Sequence, residues 1–356
     1  MTVQILVTGA GGYIGGSIVA DLLNVKAGIL KNAGIHAAVR SDEQGQNLSA
    51  LGVSVARLDL SDKALVENYL VSHDIGIVVN TATSIDREVA FNLIVGLSVR
   101  REATRKESYF IHTSGLSAFD ENTGWPYGKV KDSDSVYNLE SESKDSYIVR
   151  QVDTFVVEQC KTSDVRALMI FPPTLHGRGT GTWNQLSPQI PALIKASIKE
   201  KKVYKFTENR EATLAHISDI TIFFVSLIEA ILRRDKLPEG ENGYYFLVSY
   251  MIPWWDILER LAARLYARGL VDSRELDLWP SDKVLAEAVG VPVKFAYSMW
   301  NSSPQVSCEN RGIVGWHPKW DTERFLNNLD DEIDDFLELG LPKSSLLDSL
   351  KPKSVE

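Results

Sequence analysis

The segment TGAGGYIGG at residues 8–16 constrains the chain more than any other. It follows directly on the apolar run QILVT. It leads into residues 13–24, where Ile14, Ile18 and Leu22 recur at the four-residue spacing of one helix face. Strand, glycine loop and helix therefore stand in order. Gly9, Gly12 and Gly15 are spaced G-x-x-G-x-x-G. Their mechanical uses are a tight turn, close approach of backbone to a pyrophosphate, and close packing of helix on strand. The N-terminus of the following helix adds free N–H groups and a positive dipole end. No G-K-[ST] follows, so this is not the phosphate loop of a nucleotide hydrolase. The expectation is a dinucleotide site; the plain alternative is a structural turn.

The chain beyond this loop keeps the same rhythm. Apolar strand-like runs recur at 35–39, 53–58, 76–80, 109–112 and 165–171, with a helical stretch at 86–105. Continuous apolar runs are what a parallel sheet covered on both faces requires. Residues 1–175 are expected to form a Rossmann-type, doubly wound α/β domain. After Pro172 and Pro173 helical patterns dominate, at about 189–200, 218–233, 254–268 and 281–289, with short strands at 203–206 and 244–249. Residues 176–356 are expected to form mostly a smaller, largely helical substrate region, with 213–235 returning to the main domain. Residues 132–145 are polar and acidic and read as a solvated loop or an insertion.

Composition removes several functions. Net charge is −9 with no basic block, which disfavours nucleic acid and anionic membrane surfaces. The longest apolar run, 220–232, is too short to span a bilayer. The two cysteines, Cys160 and Cys308, cannot build a disulfide framework, and no histidine or cysteine spacing fits a metal site. A reduced, cytoplasmic setting and no metal are the expectations.

The glycine spacing with Thr8 in front resembles the short-chain dehydrogenase/reductase superfamily. Further segments are similar to its motifs: RLDLSD at 57–62, NTAT at 80–83, HTSG at 112–115, FPPTLHGRGTG at 171–181, AHISD at 215–219 and GIVGWHP at 312–318. The resemblance covers nearly the whole chain. It is nearest to the atypical extended members, the fungal NAD(P)-dependent epimerase/dehydratase-like proteins. It implies a cofactor site built from Gly9, Gly12, Tyr13, Ile14 and Gly15 of the loop, Asp59 and Leu60 against the adenine, Thr81, Ala82 and Thr83 beneath the cofactor, and Pro172 and Thr174 near the nicotinamide. Relatives are monomers or homodimers that act on small molecules.

The second strand ends in Ala38-Val39-Arg40-Ser41. An acidic residue there selects the 2′-hydroxyl of NAD, whereas an arginine pairs with a 2′-phosphate. Arg40 and Ser41 point to NADP(H) rather than NAD(H).

Catalysis is harder to place. The resemblance implies a Ser or Thr at the end of the fifth strand, which Ser114 supplies, and a Tyr-x-x-x-Lys pair on the helix before the sixth. Aligning Glu158 with the glutamate that relatives keep on that helix puts Arg150 and Thr154 at the tyrosine and lysine places; Tyr147 is followed four residues on by Gln151. One Y-x-x-x-K match does occur, Tyr127 and Lys131, in a stretch of poor helix formers. These two are candidate catalytic residues, and chance resemblance in a surface loop is the alternative. His176 takes the place after the sixth strand and is a candidate for substrate contact or a packed histidine. His112 reads as a satisfied core histidine, and Asp219 as capping or beginning the helix of 220–233.

The expected function is an NADP(H)-dependent reductase of a C=O or C=N group in a small metabolite. The tryptophans of the later region hint at an apolar or aromatic one. The alternatives are a non-redox epimerase, dehydratase, isomerase or cyclase that holds the same cofactor, and a silent NADP-sensing protein.

Overall fold

The computed structural model describes residues 3–25 and 27–343. Its strands are β1 (Gln4–Thr8), β2 (Gly34–Val39), β3 (Ser54–Arg57), β4 (Ile75–Asn80), β5 (Tyr109–Thr113), β6 (Val130–Lys131), β7 (Arg166–Phe171), β8 (Thr174–His176), β9 (Tyr204–Lys205), β10 (Glu211–His216), β11 (Tyr244–Phe246), β12 (Tyr250–Pro253), β13 (Asp277–Leu278) and β14 (Val306–Ser307). Its helices are α1 (Tyr13–Asn24), α2 (Asp42–Ser49), α3 (Lys63–Ser72), α4 (Arg87–Thr104), α5 (Val136–Ser143), α6 (Ile148–Thr162), α7 (Gln189–Glu200), α8 (Ile217–Arg233), α9 (Trp254–Ala267), α10 (Asp282–Val289), α11 (Val293–Trp300) and α12 (Thr322–Leu339).

Seven strands form one parallel sheet in the order β3-β2-β1-β4-β5-β7-β11. The order reverses between β1 and β4, and ligands of such sheets bind beyond the strand ends at that point. All six residues of β4 are buried, as a strand covered on both faces must be. One apolar layer, with Leu93, Leu97, Val152 and Val156, fills the α4 and α6 side. The other, with Ile18, Phe223, Phe224 and Leu227, fills the α1 and α8 side. This is a Rossmann-type α/β fold.

A third core lies in the later part of the chain, around Trp254, Leu258, Trp300, Phe325 and Leu329. Helices α7, α9, α10, α11 and α12 contribute to it. A small sheet, β12-β10-β8, stands beside it.

Two local readings change, and a third, that of Asp219, narrows to one of its alternatives. The run at 244–249 belongs to the main sheet, because Tyr244, Tyr245 and Phe246 are fully buried and pair with β7. The stretch 132–145 is not a solvated loop. It holds α5, and Asp132 and Glu140 are buried within it. Asp219 lies inside the first turn of α8, where its two oxygens accept from the backbone N–H groups of Lys319 and Trp320; His216 caps that helix.

Candidate active site

A cleft of about 980 Å³ runs along the carboxyl ends of the sheet strands. One end is bounded by Arg40 and Arg57, which follow from β2 and β3. The other is bounded by Ser114 after β5, Tyr147 at the start of α6, and Phe295, Ser298 and Met299 of α11.

The floor between them is the glycine loop. Gly9 has φ +67°, and a Cβ there would stand 2.7 Å from the Thr81 carbonyl oxygen. A Cβ on Gly15 would stand 2.3 Å from Thr81 Oγ1 and 2.4 Å from the Gly9 carbonyl. Thr81 is fixed in turn, since its hydroxyl donates to the Thr8 carbonyl at 2.6 Å. Helix α1 starts at Gly12 with no side-chain cap and no acidic residue in its first turn, so its N-terminal N–H groups face the cleft uncovered. These features fit a dinucleotide pyrophosphate. Gly12, Tyr13, Ile14, Asp59, Leu60, Ala82, Thr83, Pro172 and Thr174 also line the cleft. The Tyr13 hydroxyl donates to the carbonyls of His176 and Gly177, at 2.9 and 2.6 Å, and so ties the loop after β8 to the glycine loop. Ser61 donates to Asp59 through both its N–H and its hydroxyl, which lowers the Asp59 pKa.

At the β2 and β3 end of the cleft the Arg40 guanidinium has no ion-pair partner among the described residues. Arg57 is held by Asp42 at 2.8 Å. Ser41 does not line the cleft, because its hydroxyl accepts from the Gln44 N–H at 3.3 Å and caps α2.

A buried polar chain runs under the other end. Thr8 donates to Asn80 Oδ1 at 2.7 Å, and Asn80 Nδ2 lies 3.1 Å from His112 Nδ1. The Asn80 amide is thus left as donor, and the ring proton of neutral His112 sits on Nε2. Burial pushes the His112 pKa down to about 4. Its Nε2 is 3.6 Å from Asp153 Oδ1. The other Asp153 oxygen accepts from the Ser114 hydroxyl at 2.7 Å. Burial pushes Asp153 up to about 8, and raises its neighbour Glu140, which accepts from the Tyr244 hydroxyl at 2.8 Å. Beside Ser114, the Tyr147 hydroxyl lies 3.2 Å from Ser117 Oγ. Burial raises the Tyr147 pKa more than the hydrogen bond with Ser117 and the Arg150 charge lower it. The phenol is therefore protonated at neutral pH and offers a hydrogen bond to the cleft.

With this geometry in place, the model of the NAD dependent epimerase/dehydratase family matches residues 5–236, well over half of the chain. The chain belongs to that family. A relative, "Oxidase ucsJ" of Acremonium sp, is 25% identical over 298 residues and covers 78% of this chain and 83% of its own. UDP-glucuronic acid 4-epimerase from Bacillus cereus, solved with NAD, superposes with a TM-score of 0.61 at 16% identity, covering 94% and 98% of the two chains. WbmG from Bordetella bronchiseptica, also with NAD, gives 0.62 at 14% identity over 94% and 95%. Vestitone reductase from alfalfa gives 0.57 at 18% identity over 95% and 99%. Epimerases and reductases thus share the fold, and this member of the epimerase/dehydratase family is an NAD(P)-dependent enzyme by kinship.

Three proposed catalytic residues of this family member do not reach the cleft. Tyr127 is exposed and donates to Glu142 at 2.6 Å, and Lys131 pairs with Glu309 at 2.9 Å. Gly128 between them has φ +62°, and Lys131 lies in β6, which pairs with β14. Tyr127 and Lys131 therefore share no helix face. His176 is fully buried, its Nε2 is 2.5 Å from the Tyr250 hydroxyl, and its ring packs on Phe325 and Trp320. It contacts the scaffold, not the cleft.

Arg150 is a structural clamp. Its guanidinium is fully buried and donates to the carbonyls of Ala118 and Thr123 and to Ser146 Oγ. No tryptophan lines the cleft among the described residues; Trp254 and Trp300 sit in the third core. No cluster able to hold a metal ion occurs among the described residues, and no helix there is long and apolar enough to cross a membrane.

The sequence reading missed Tyr147, Ser117, Arg57, Ser298, Glu140 and Asp153. Asp153 had a visible signal: Val149, Asp153 and Val157 fall on one buried line of α6, so a carboxylate interrupts an apolar stripe. Glu140 had a weaker one: Val136 four residues before it shares its buried face of α5, but the helix is short and set among acidic residues.

Proposed function

We propose that the protein is an NADP(H)-dependent reductase of a C=O or C=N group carried by a small apolar or aromatic molecule. The observation that carries this reading is the chemistry of the far end of the cleft. Leu116, Pro173, Phe295 and Met299 line it together with uncharged hydroxyls, among them those of Ser114, Ser117, Tyr147 and Ser298. Its lining cations among the described residues are Arg40 and Arg57 at the adenosine end, and Lys343, whose ammonium lies 3.8 Å from the ring centroid of Trp183. A sugar nucleotide would bring a second pyrophosphate, and the substrate end has little charge to meet it.

Arg40 and Arg57 are the groups for a 2′-phosphate, with Asp42 aligning the second. Gly9, Gly12, Gly15 and the start of α1 would hold the pyrophosphate. A reduced nicotinamide bound in this cleft supplies hydride. Ser114 and Tyr147 orient the acceptor atom and stabilise the charge that develops on it. The apolar side chains of α11 and the loop after β7 exclude water. Residues 176–343, apart from α8 and β11, serve as the substrate-binding part.

A second reading is an enzyme without net redox change, which the lack of a lysine four residues after Tyr147 favours. One experiment separates them. Absorbance at 340 nm is followed with NADPH and a panel of aromatic ketones, aldehydes and imines. Consumption of NADPH supports the reductase. Tight NADPH binding without consumption across the panel transfers the proposal to the non-redox reading.

A further inference from the structure

The polar chain beneath Ser114 contains a deficit of protons. Asp153 and Glu140 are both fully buried, one on α6 and one on α5, and their carboxyl groups are within hydrogen-bonding reach of each other. Each has one oxygen served by a donor: Ser114 donates to Asp153 Oδ2 and Tyr244 to Glu140 Oε2. The remaining oxygens, Asp153 Oδ1 and Glu140 Oε1, have no donor among the described residues. Ionised carboxylates only accept hydrogen bonds, so two of them cannot satisfy each other. A single proton placed between them removes the conflict, as in other carboxyl pairs that share a site.

Charge gives the same answer. The charged and titratable groups that face the pair are Arg150 of α6, Tyr147 at its start, His112 of β5 and Tyr244 of β11. His112 is neutral, and both phenols are held protonated by burial. Arg150 is the one cation. With one proton on the pair, its charge of −1 balances Arg150; with none, an unbalanced negative charge is left in the core.

The pair also has an outlet. Ser114 is the group that touches both Asp153 and the cleft. We propose that Asp153 and Glu140 together retain one proton, and that Ser114 passes it between this pair and the oxygen or nitrogen of the substrate. The substrate half of this statement rests on the reductase reading. A bound reduced nicotinamide would supply hydride to the substrate carbon as the C=O or C=N π bond opens, and Ser114 would give its hydroxyl proton to the heteroatom. For this the Ser114 hydroxyl turns from Asp153 Oδ2 to the heteroatom, the proton of the pair shifts to Asp153 Oδ2, and Oδ2 then donates it to Ser114 Oγ, leaving Asp153 a carboxylate. After product release, water in the cleft returns a proton through Ser114. The arrangement supplies the proton that a Tyr-Lys pair would otherwise provide. Asp153 and Glu140 act through Ser114 and are positioning and proton-storing residues.

Infrared difference spectroscopy on the full chain, titrated with pH and without cofactor, tests the storage half. A protonated-carboxyl C=O band is expected at neutral pH. Asp153→Asn and Glu140→Gln should each remove the component owed to the pair and leave that of buried Glu332. Ser114→Ala should raise its titration midpoint, because the lost hydrogen bond favours ionised Asp153. A folded wild-type protein with no such band at neutral pH overturns the proposal, as does a band that none of the three variants alters.

Kinetics test the transfer half. Asp153→Asn should lower NADPH turnover by about 10²- to 10⁴-fold, the worth of a positioned proton donor, with NADPH affinity unchanged. Glu140→Gln should move the alkaline limb of the pH profile to lower pH, since Asp153 then has no second carboxylate to share with. Normal rates with an unshifted profile in both variants overturn it. If Asp153→Asn fails to fold, Ser114→Ala and Glu140→Gln carry both measurements. Absence of any NADPH consumption by the wild type would overturn the reductase reading, while the spectroscopic result would still decide whether the pair holds its proton.

Discussion

The Tyr147 hydroxyl stands 3.2 Å from Ser117 Oγ at the wall of the cleft, and the side chain four residues further along α6 is Gln151. A tyrosine in this place without a lysine partner has no charge to lower its pKa near neutral pH. Arg150 is close, but its guanidinium is committed to backbone carbonyls. Tyr147 is thus suited to donate a hydrogen bond and unsuited to give up its proton. This places the burden of proton supply elsewhere in the cleft.

Tyr147→Phe should lower turnover by about 10²-fold, the loss of one donor to a developing negative charge. NADPH affinity should stay the same, since the hydroxyl faces the substrate. Tyr127→Phe should change turnover by about twofold at most, as an ordinary surface substitution does. Steady-state NADPH oxidation measures both. A larger loss in Tyr127→Phe than in Tyr147→Phe would reverse the assignment.

How much of this was legible in the sequence depends on the range of the interactions. The glycine loop could be read because its strand, turn and helix lie within twenty residues and each glycine answers a local steric demand. The place of Arg40, directly after β2 and on the cleft, was legible for the same reason. Strand β11 was not, because its place beside β7 is decided by pairing between residues far apart in the chain. Tyr127 and Lys131 misled because four-residue spacing has meaning only on a helix, and Gly128 at positive φ prevents one. Glu140 was hidden because acidic neighbours made the whole stretch look solvated. It is buried only because α5 packs against α6. The tryptophans, read as a hint of an apolar or aromatic substrate, do not line the cleft: Trp254 and Trp300 fill the core of the later region, and Phe295 and Met299 face the cleft.

Cofactor choice can be checked at the two arginines. Arg40→Asp should weaken NADPH binding by about ten- to a hundredfold, equal to a lost charge-assisted contact of about 1.5–3 kcal/mol, and should favour NADH. Arg57→Ala should weaken NADPH binding less, since Asp42 already neutralises part of its charge. Isothermal calorimetry with both cofactors reads this. Equal affinities for NADPH and NADH in the unmodified protein would remove the role given to Arg40.

Gly15→Ala tests the loop itself. The new methyl would lie 2.3 Å from Thr81 Oγ1 and 2.4 Å from the Gly9 carbonyl, both backbone-anchored. The loop must widen, at a cost of about 1–3 kcal/mol typical of overpacking. Cofactor affinity should fall steeply, with the fold retained by circular dichroism. Unchanged affinity would show that the cofactor does not lie on this loop.

The buried titratable groups set the pH dependence of stability. Asp153 is pushed up to about 8 and Glu332 to about 7 by burial, and Glu140 is raised as well. In the native state these carboxyls keep protons that the unfolded chain releases near pH 4. Where the native state binds more protons, stability falls as pH rises. The buried histidines act in the opposite sense. His112 is lowered to about 4, and His176 and His216 to about 3, so below pH 6.5 the unfolded chain takes up protons that the native state refuses. Between about pH 4.5 and 6.5 the two sets oppose each other and the slope is shallow. Above about pH 7 the histidines are neutral in both states and the carboxyls act alone. Unfolding free energy should therefore decline from pH 7 toward pH 8.5, by up to about 1.4 kcal/mol per pH unit for each proton held. Urea unfolding at a series of pH values measures it. Asp153→Asn should flatten the decline, because its amide has no proton to lose; a decline of the same steepness in that variant would place the titrating group elsewhere.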